Sequence, residues 1–359
     1  MSNYKSLFEI PEDIIYLNTA GSGLIPTAIK RWRGERDALF FNTAGDLREQ
    51  QGAFMNSVKE TIANFINAER DQLYASSNFS TALITVLNGL PKDTEFLLLE
   101  ADYPSLNFPI ISRGFKHSFV PLDTQLEQHI YEAVKTRKPQ VLALSLVQYI
   151  SGLQVELTFL QALKQEFPAL LIIADGTQYL GAAALDFAQS GIDIFAASGY
   201  KWLLSGYGNG FVAVSAYAKE ILYRDAKMTA LEKMWEGRDL LSLYFEPGHT
   251  DTLAHGTLQK SIELLTSLGM PAVERHIQNL TSTAAQEFQK RHLIAPELSL
   301  RKQQSPLFNL QIDQAKYPFF LEKGVKCFPR GKGIRIAFHL YNDEQDLERL
   351  LKIIDNGKI

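Results

Sequence analysis

The stretch IIADGTQYLGAAALDFAQSGIDIFAASGYKWLLSGYGNGFVAVS, residues 172–215, decides the fold. IDIFAAS (192–198) and GFVAVS (210–215) are largely apolar at consecutive rather than alternate positions, and so is LLIIAD (170–175), which overlaps the start of the stretch. Strands of that kind are covered on both faces, as in a mostly parallel sheet flanked by helices. Outward from this stretch, QVLALSLV (140–147) and EFLLLEA (95–101) repeat the pattern. FMNSVKETIANFINA (54–68) and LTFLQALKQEF (157–167) carry apolar residues near the 3.6-residue helical period. The alternation predicts an α/β architecture with a mostly parallel, mixed sheet.

After Gly248 the pattern changes. A helix is expected around 251–267, a break at Gly269 and Pro271, and a long amphipathic helix around 271–291. LFNLQID (307–313) and IRIAFHL (334–340) follow as short strands, and a last helix is expected around 343–355. The chain of 359 residues is about twice an ordinary domain. The expected division is a large α/β domain over 21–269 and a small α+β domain over 270–359, which the segment 1–20 joins.

Composition excludes several classes of function. With 46% hydrophobic and 21% charged residues, the chain can bury a sizeable core. Thirty-six Lys and Arg against forty Asp and Glu, with no long like-charge run, offer nothing for nucleic acid or an anionic membrane. The one cysteine, Cys327, excludes internal disulfides and multi-cysteine zinc sites, and the histidines form no metal-ligating pattern. Apolar runs such as PALLIIA (168–174) are far too short to span a bilayer, and MSNYKSLFEIPEDIIYL lacks the regions of a secretory signal. The expected setting is the cytoplasm. Gly206, Gly208 and Gly210 precede a strand instead of opening a helix, the wrong context for a dinucleotide loop.

In an open parallel sheet, ligands bind beyond the carboxyl ends of the strands. Four such places carry polar residues: Asp102 and Tyr103, Gln148 and Tyr149, Asp175 with Gly-Thr-Gln after it, and Ser198, Tyr200 and Lys201. A lysine between a buried strand and Trp202-Leu203-Leu204 is placed for desolvation, which depresses its pKa and frees a nucleophilic amine for an aldehyde cofactor. It also suits a lysine that snorkels from a strand end. A buried Asp175 needs a cation, such as the ring nitrogen of pyridoxal phosphate, unless it caps the helix that follows.

Taken together, 172–215 with YLNTAGSGLIP (16–26), YFEPGHTDT (244–252) and GIRIAFHLYNDEQDLERLL (333–351) resembles the class V aminotransferase family. These are pyridoxal-phosphate enzymes of fold type I that include cysteine desulfurases and kynureninases. The 26-residue step from Asp175 to Lys201 suits that family. The resemblance implies a large domain with a seven-stranded, mostly parallel mixed sheet. It makes Lys201 the Schiff-base lysine and proton carrier, and pairs Asp175 with the pyridine nitrogen. Gln178 takes the place of the residue at the cofactor's phenolic oxygen, Tyr103 that of the aromatic stacked on the ring, and Tyr149 a position that is Tyr in kynureninases. Phe79, Ser80 and Thr81, in SSNFSTALITVL, with Ser198 and Tyr200, form the implied phosphate nest; a Ser- and Thr-rich helix start also serves simple capping. His249 or Thr250 would reach the phosphate of a neighbouring subunit in a homodimer. Arg335 would fork onto the substrate carboxylate, with Asn18 and Ala20 on the substrate side.

The expected activity is that of a pyridoxal-phosphate enzyme on a small amino acid, by transamination as the family label has it. The alternatives are a lyase of the desulfurase or kynureninase kind and a non-catalytic binding protein with the same fold. Two departures qualify the resemblance. Desulfurases need a mobile acceptor cysteine, whereas Cys327 in GVKCFPRGKG falls on an apolar strand position and reads as buried filler. Kynureninases usually carry an aspartate and a histidine where this chain has Leu106 and Gln178.

Overall fold

A computed structural model describes residues 4–226, 238–295, 301 and 303–357. Its strands are β1 (Ile15–Tyr16), β2 (Leu73–Ser76), β3 (Glu95–Leu99), β4 (Lys116–Val120), β5 (Val141–Ser145), β6 (Leu171–Asp175), β7 (Ile194–Ser198), β8 (Gly210–Val214), β9 (Leu307–Leu310), β10 (Val325–Lys326), β11 (Phe328–Arg330) and β12 (Gly333–Ala337). The helices are α1 (Thr27–Ile66), α2 (Phe79–Gly89), α3 (Pro104–Ser112), α4 (Leu126–Arg137), α5 (Leu157–Glu166), α6 (Ala216–Ile221), α7 (Leu240–Phe245), α8 (Thr252–Leu268), α9 (Met270–Lys290), α10 (Tyr317–Glu322) and α11 (Glu344–Asn356).

Seven strands form the main sheet in the order β2-β8-β7-β6-β5-β3-β4. The pairs β3–β4, β3–β5, β5–β6 and β6–β7 are parallel, and β8 runs antiparallel between β7 and β2. The mixed, mostly parallel sheet expected from the apolar runs is present. Alternate residues of one strand enter different cores, which is why the runs are continuous. Leu97, Leu142, Ile172 and Phe195 face one side with Val58, Ile130, Leu160 and Ile262 from the helices. Phe96, Val141, Ile173 and Ile194 face the other with Phe79, Leu83, Leu106 and Ile110. Both faces are therefore dry, as a parallel sheet requires.

Where the structure departs from the sequence reading, local causes are visible. The helix expected over 54–68 is the last part of a 40-residue element broken at Thr43, where the backbone leaves helical geometry. It ends at Asn67, in the left-handed conformation that suits Asn. Strand β4, sequence KHSFV, occupies a sheet edge and is partly exposed, so it lacks the apolar signature of its neighbours.

A third apolar core lies around the three-stranded antiparallel sheet β11-β12-β9. It gathers Leu280 and Phe288 of α9, Ile334 and Ile336 of β12 and Leu347 and Leu350 of α11. Ile15 and Leu17 complete it: β1 pairs in parallel with β10, and the Ala337 amide donates to the Leu17 carbonyl. The start of the chain is thereby fastened to its end. Leu17 is fully buried, and Leu17→Ala is expected to lower stability by about 2–5 kcal/mol through a cavity in this core. Chemical denaturation followed by fluorescence checks this, and a loss near zero contradicts the packing role.

Candidate active site

The parallel strands end together, and the side chains just past their carboxyl ends surround a cavity of about 600 Å³. Its wall includes Asp175, Thr177 and Gln178 after β6, Ser198, Tyr200 and Lys201 after β7, and Tyr149 after β5. Tyr103 at the head of α3 and Asn78, Phe79, Ser80 and Thr81 at the head of α2 close it. Residues spread over more than 120 positions of sequence meet because adjacent parallel strands share a register, Ser145 beside Asp175 and Asp175 beside Ala196.

Lys201 follows β7 in a tight turn whose shape is set by its neighbours. Gly23 passes so close that a Cβ there would lie 2.0 Å from the Lys201 carbonyl oxygen, and the Gly23 amide donates to the Tyr200 carbonyl. Leu204, fully buried, takes a positive φ of 55°, a conformation costly for a residue with a branched side chain. Trp202 anchors the turn: its Nε1 donates to Gln178 Oε1 at 2.7 Å, and its carbonyl accepts from His339 Nε2 at 2.9 Å. His339 Nδ1 accepts the Leu340 amide, so the proton sits on Nε2, and burial lowers this imidazole's pKa to about 4. The Lys201 amine lies 5.7 Å from the centre of the Tyr103 ring and 5.5 Å from that of Tyr200. Burial pulls its pKa down to about 8, against the opposing pull of Asp175 and with help from Arg335 and Arg330.

Asp175 is as deeply buried as Lys201. Its Oδ1 accepts the Thr177 amide at 2.8 Å, and desolvation raises its pKa to about 6 in spite of that bond and of Lys201. Asp102 lies nearby, raised by burial as well, with Oδ2 accepting the Ser145 amide and Oδ1 the Tyr103 amide. It shapes the turn that presents Tyr103. The rings of Tyr103 and Tyr149 meet edge to face at 5.3 Å.

Several expected roles change in detail. The Phe79 amide is already given to Ser198 Oγ at 2.9 Å, so it is not open to an anion; Ser198 keeps its own O–H to donate. The Thr81 amide is taken by Asn78 Oδ1, the cap of α2. That leaves the hydroxyls of Ser80 and Thr81 and the head of α2 facing the cavity. Gln178 is held at both ends, with Nε2 donating to the Ala20 carbonyl and Oε1 accepting from Trp202, which leaves one amide N–H for a guest. Asn18 and Ala20 do not line the cavity; the Ala20 carbonyl accepts from Gln178, and Asn18 Oδ1 is buried with no hydrogen-bond partner among the described residues. His249 is exposed, Thr250 is partly so, and neither lines this cavity within one chain.

Arg335 sits on the middle strand β12, buried behind Tyr149, whose carbonyl accepts its Nη1 at 2.8 Å. Its Nε is buried with no hydrogen-bond partner among the described residues, so that donor is uncommitted, and Arg335 lies behind the cavity wall and is not among its lining residues. Burial, then Arg330, lowers its pKa to about 10. Thr177, Asn78 and Tyr207 also line the cavity, although the sequence reading assigned them nothing. Thr177 Oγ1 accepts the Ser198 amide, tying the Asp175 turn to the β7 end.

The residues fit pyridoxal phosphate. A desolvated carboxylate with room for a cation, a desolvated amine between two aromatic rings, and a helix start with hydroxyls for a phosphate border one cavity. The sequence profile described as "Aminotransferase class-V" matches residues 15–350. The chain belongs to the class V aminotransferase family. It is therefore one of a family of pyridoxal-phosphate-dependent enzymes. A probable cysteine desulfurase of Ureaplasma parvum is 24% identical over 99% of this chain and 97% of its own. An isopenicillin N epimerase of Streptomyces clavuligerus is 22% identical over 95% and 94%. The cystine C–S lyase C-DES, solved with its reaction product cysteine persulfide, shares the fold with a TM-score of 0.80 at 19% identity, over 95% of this chain and 97% of that one. Among the described residues no helix is long and apolar enough to cross a membrane.

The electrostatics of this class V site can be read directly. In cofactor-free protein, trapping of Lys201 by an aldehyde and a reductant, quantified by peptide mass spectrometry, should rise with pH around a midpoint near 8, well below an ordinary lysine. Asp175→Asn removes the anion that helps keep the ammonium charged, so the midpoint should fall further. A midpoint that stays put or rises contradicts the pairing.

Proposed function

We propose that this enzyme is a lyase that cleaves a bond at Cβ of a small amino acid, with Lys201 as the base and acid and Arg335 as the carboxylate anchor. The observation that carries the lyase reading, and separates it from a protein-bound persulfide relay, is the state of the one thiol. Cys327 is buried between β10 and β11, and desolvation raises its pKa to about 12. A thiol in that state is neither nucleophilic nor within reach of a substrate. The segment that follows, from Phe328 to Arg335, is a paired hairpin, with Phe328 opposite Arg335 and Arg330 opposite Gly333, so it is not a loop that could carry sulfur to the cavity. The desulfurase and the cystine C–S lyase among the named relatives support cleavage of a carbon–sulfur bond more than transfer of an amino group.

Bound pyridoxal phosphate supplies an aldehyde carbon for an amine and a cationic ring that draws electrons from the substrate α-carbon. Asp175, held by the Thr177 amide, would keep the ring nitrogen protonated. Ser80, Thr81 and Ser198 would hold the phosphate, and Tyr103 would cover one face of the ring. Arg335, held at Nη1 by Tyr149 and with its Nε uncommitted, would bind the α-carboxylate through the cavity wall and so orient the Cα–H bond. Lys201 Nζ, its pKa depressed by burial, is suited to take that proton and to return it to a leaving group or product. His249 and Thr250, at the surface, would complete the phosphate site of a second copy in a homodimer. Sedimentation equilibrium should then read a dimer, and an active monomer contradicts this part.

Protein purified with pyridoxal phosphate should absorb visible light, and Lys201→Ala should lose that band and at least a thousandfold of activity. Pyruvate or alanine should be released from a β-substituted amino acid with no keto acid present, and Cys327→Ala should retain the turnover. Strict dependence on a keto acid would favour transamination. Loss of activity in a folded Cys327→Ala protein would restore a thiol relay.

A further inference from the structure

The sequence reading gives Arg330 no role, yet it stands beside Tyr149, which lines the cavity. Its backbone is pinned: its carbonyl accepts from Asn309 Nδ2 at 2.8 Å, it pairs with Gly333 in the hairpin, and the carbonyl of the next residue, Gly331, accepts from Gln314 Nε2. Gly331 takes a left-handed φ of 61°, and a Cβ there would lie 2.5 Å from the Ile150 side chain, so the hairpin tip is pressed against the segment that carries Tyr149. The guanidinium is not similarly committed. It lies 5.9 Å from the centre of the Tyr149 ring and 5.2 Å from that of Phe328, exposed, with no carboxylate partner among the described residues.

Tyr149 thus stands between two arginines, with Arg335 on its carbonyl and Arg330 over its ring. One guanidinium suffices for an α-carboxylate. A second, unpaired one on the same flank leaves an excess of positive charge that a substrate with a single carboxylate does not neutralise. The excess is felt at the reacting group, since Arg330 joins burial and Arg335 in lowering the Lys201 pKa and follows burial in lowering that of Arg335. We propose that Arg330 reads a second anionic group on the side chain of the substrate, so that the enzyme selects dicarboxylic or similarly anionic amino acids over their neutral analogues.

This deepens the lyase reading and rests on its assignment of Arg335. The test uses the holoenzyme and follows the visible spectrum of the cofactor during titration with paired amino acids that differ only in the distal charge. Suitable pairs of increasing length are aspartate and asparagine, glutamate and glutamine, and S-carboxymethylcysteine and S-carbamoylmethylcysteine. For at least one pair the anionic member should bind about tenfold more tightly, a factor that one charged hydrogen bond supplies. In Arg330→Gln the ratio for that pair should fall towards one, and Arg330→Lys should restore part of it. No discrimination in any pair, or a ratio that survives in Arg330→Gln, overturns the proposal. If no amino acid perturbs the spectrum, the reading of the site fails, and the role of Arg330, which rests on it, falls with it.

Discussion

The site rests on the burial of two opposite charges at the ends of adjacent strands. Asp175 and Lys201 are both almost inaccessible, and each is pushed towards its neutral form, the acid to about 6 and the amine to about 8. Neither would be tolerated alone in such a place. Their mutual attraction offsets part of the desolvation, and the remainder is held by the packing that surrounds them. That remainder makes the cavity selective for a guest with a cationic ring and an amine-reactive carbon.

Rigid structure below the charges sustains this arrangement. The parallel register sets Asp175 beside Ala196, two residues before the strand bearing Lys201 ends, so the two turns cannot slide past each other without unpairing the sheet. Thr177 bridges them through the Ser198 amide. Behind Lys201, Trp202 is clamped between Gln178 and His339, and His339 stacks on its ring with centroids 5.3 Å apart. His339 also belongs to the chain that leaves β12, two residues after Ala337. The lysine turn and the arginine strand are therefore joined through one indole, which fixes the proposed base relative to the proposed carboxylate anchor. The start of the chain is drawn into the same assembly, with Ala20 accepting from Gln178 and Thr19 sharing a hydrogen bond with the buried Tyr341 hydroxyl.

The parts legible in the sequence are those that a single physical cause dictates. Five strands of the sheet could be read because two dry faces demand uninterrupted apolar runs. Lys201 and Asp175 could be read because charges at the ends of such runs need a reason to be there. The strand KHSFV could not, since an edge position relaxes that demand. The break at Thr43 could not, because residues 27–53 carry no strong apolar stripe to mark where one helical run stops. Among the site residues, the ordering of partners was hidden. That Ser198 consumes the Phe79 amide, or that Trp202 consumes the Gln178 oxygen, depends on strands and helices brought together over more than 20 and up to 119 positions. Arg330 was hidden for the same reason: nothing in PRGKG indicates that the hairpin tip lies against Ile150.

The hairpin also explains why one fold can serve different sulfur or carbon chemistries. A relay thiol requires a loop free to travel between the substrate and solvent, and that freedom is incompatible with a tight turn whose flanking residues are paired and whose carbonyls are bonded to Asn309 and Gln314. Holding the turn fixed removes the carrier and keeps the backbone of Arg330 in place beside Tyr149, as the proposed recognition of a second anion needs. A charge held in place recognises by position, whereas a thiol that must collect and deliver an atom cannot be held. In this chain the segment before Arg335 is of the fixed kind, and Cys327, buried at its start with its proton retained, is not free to collect and deliver an atom.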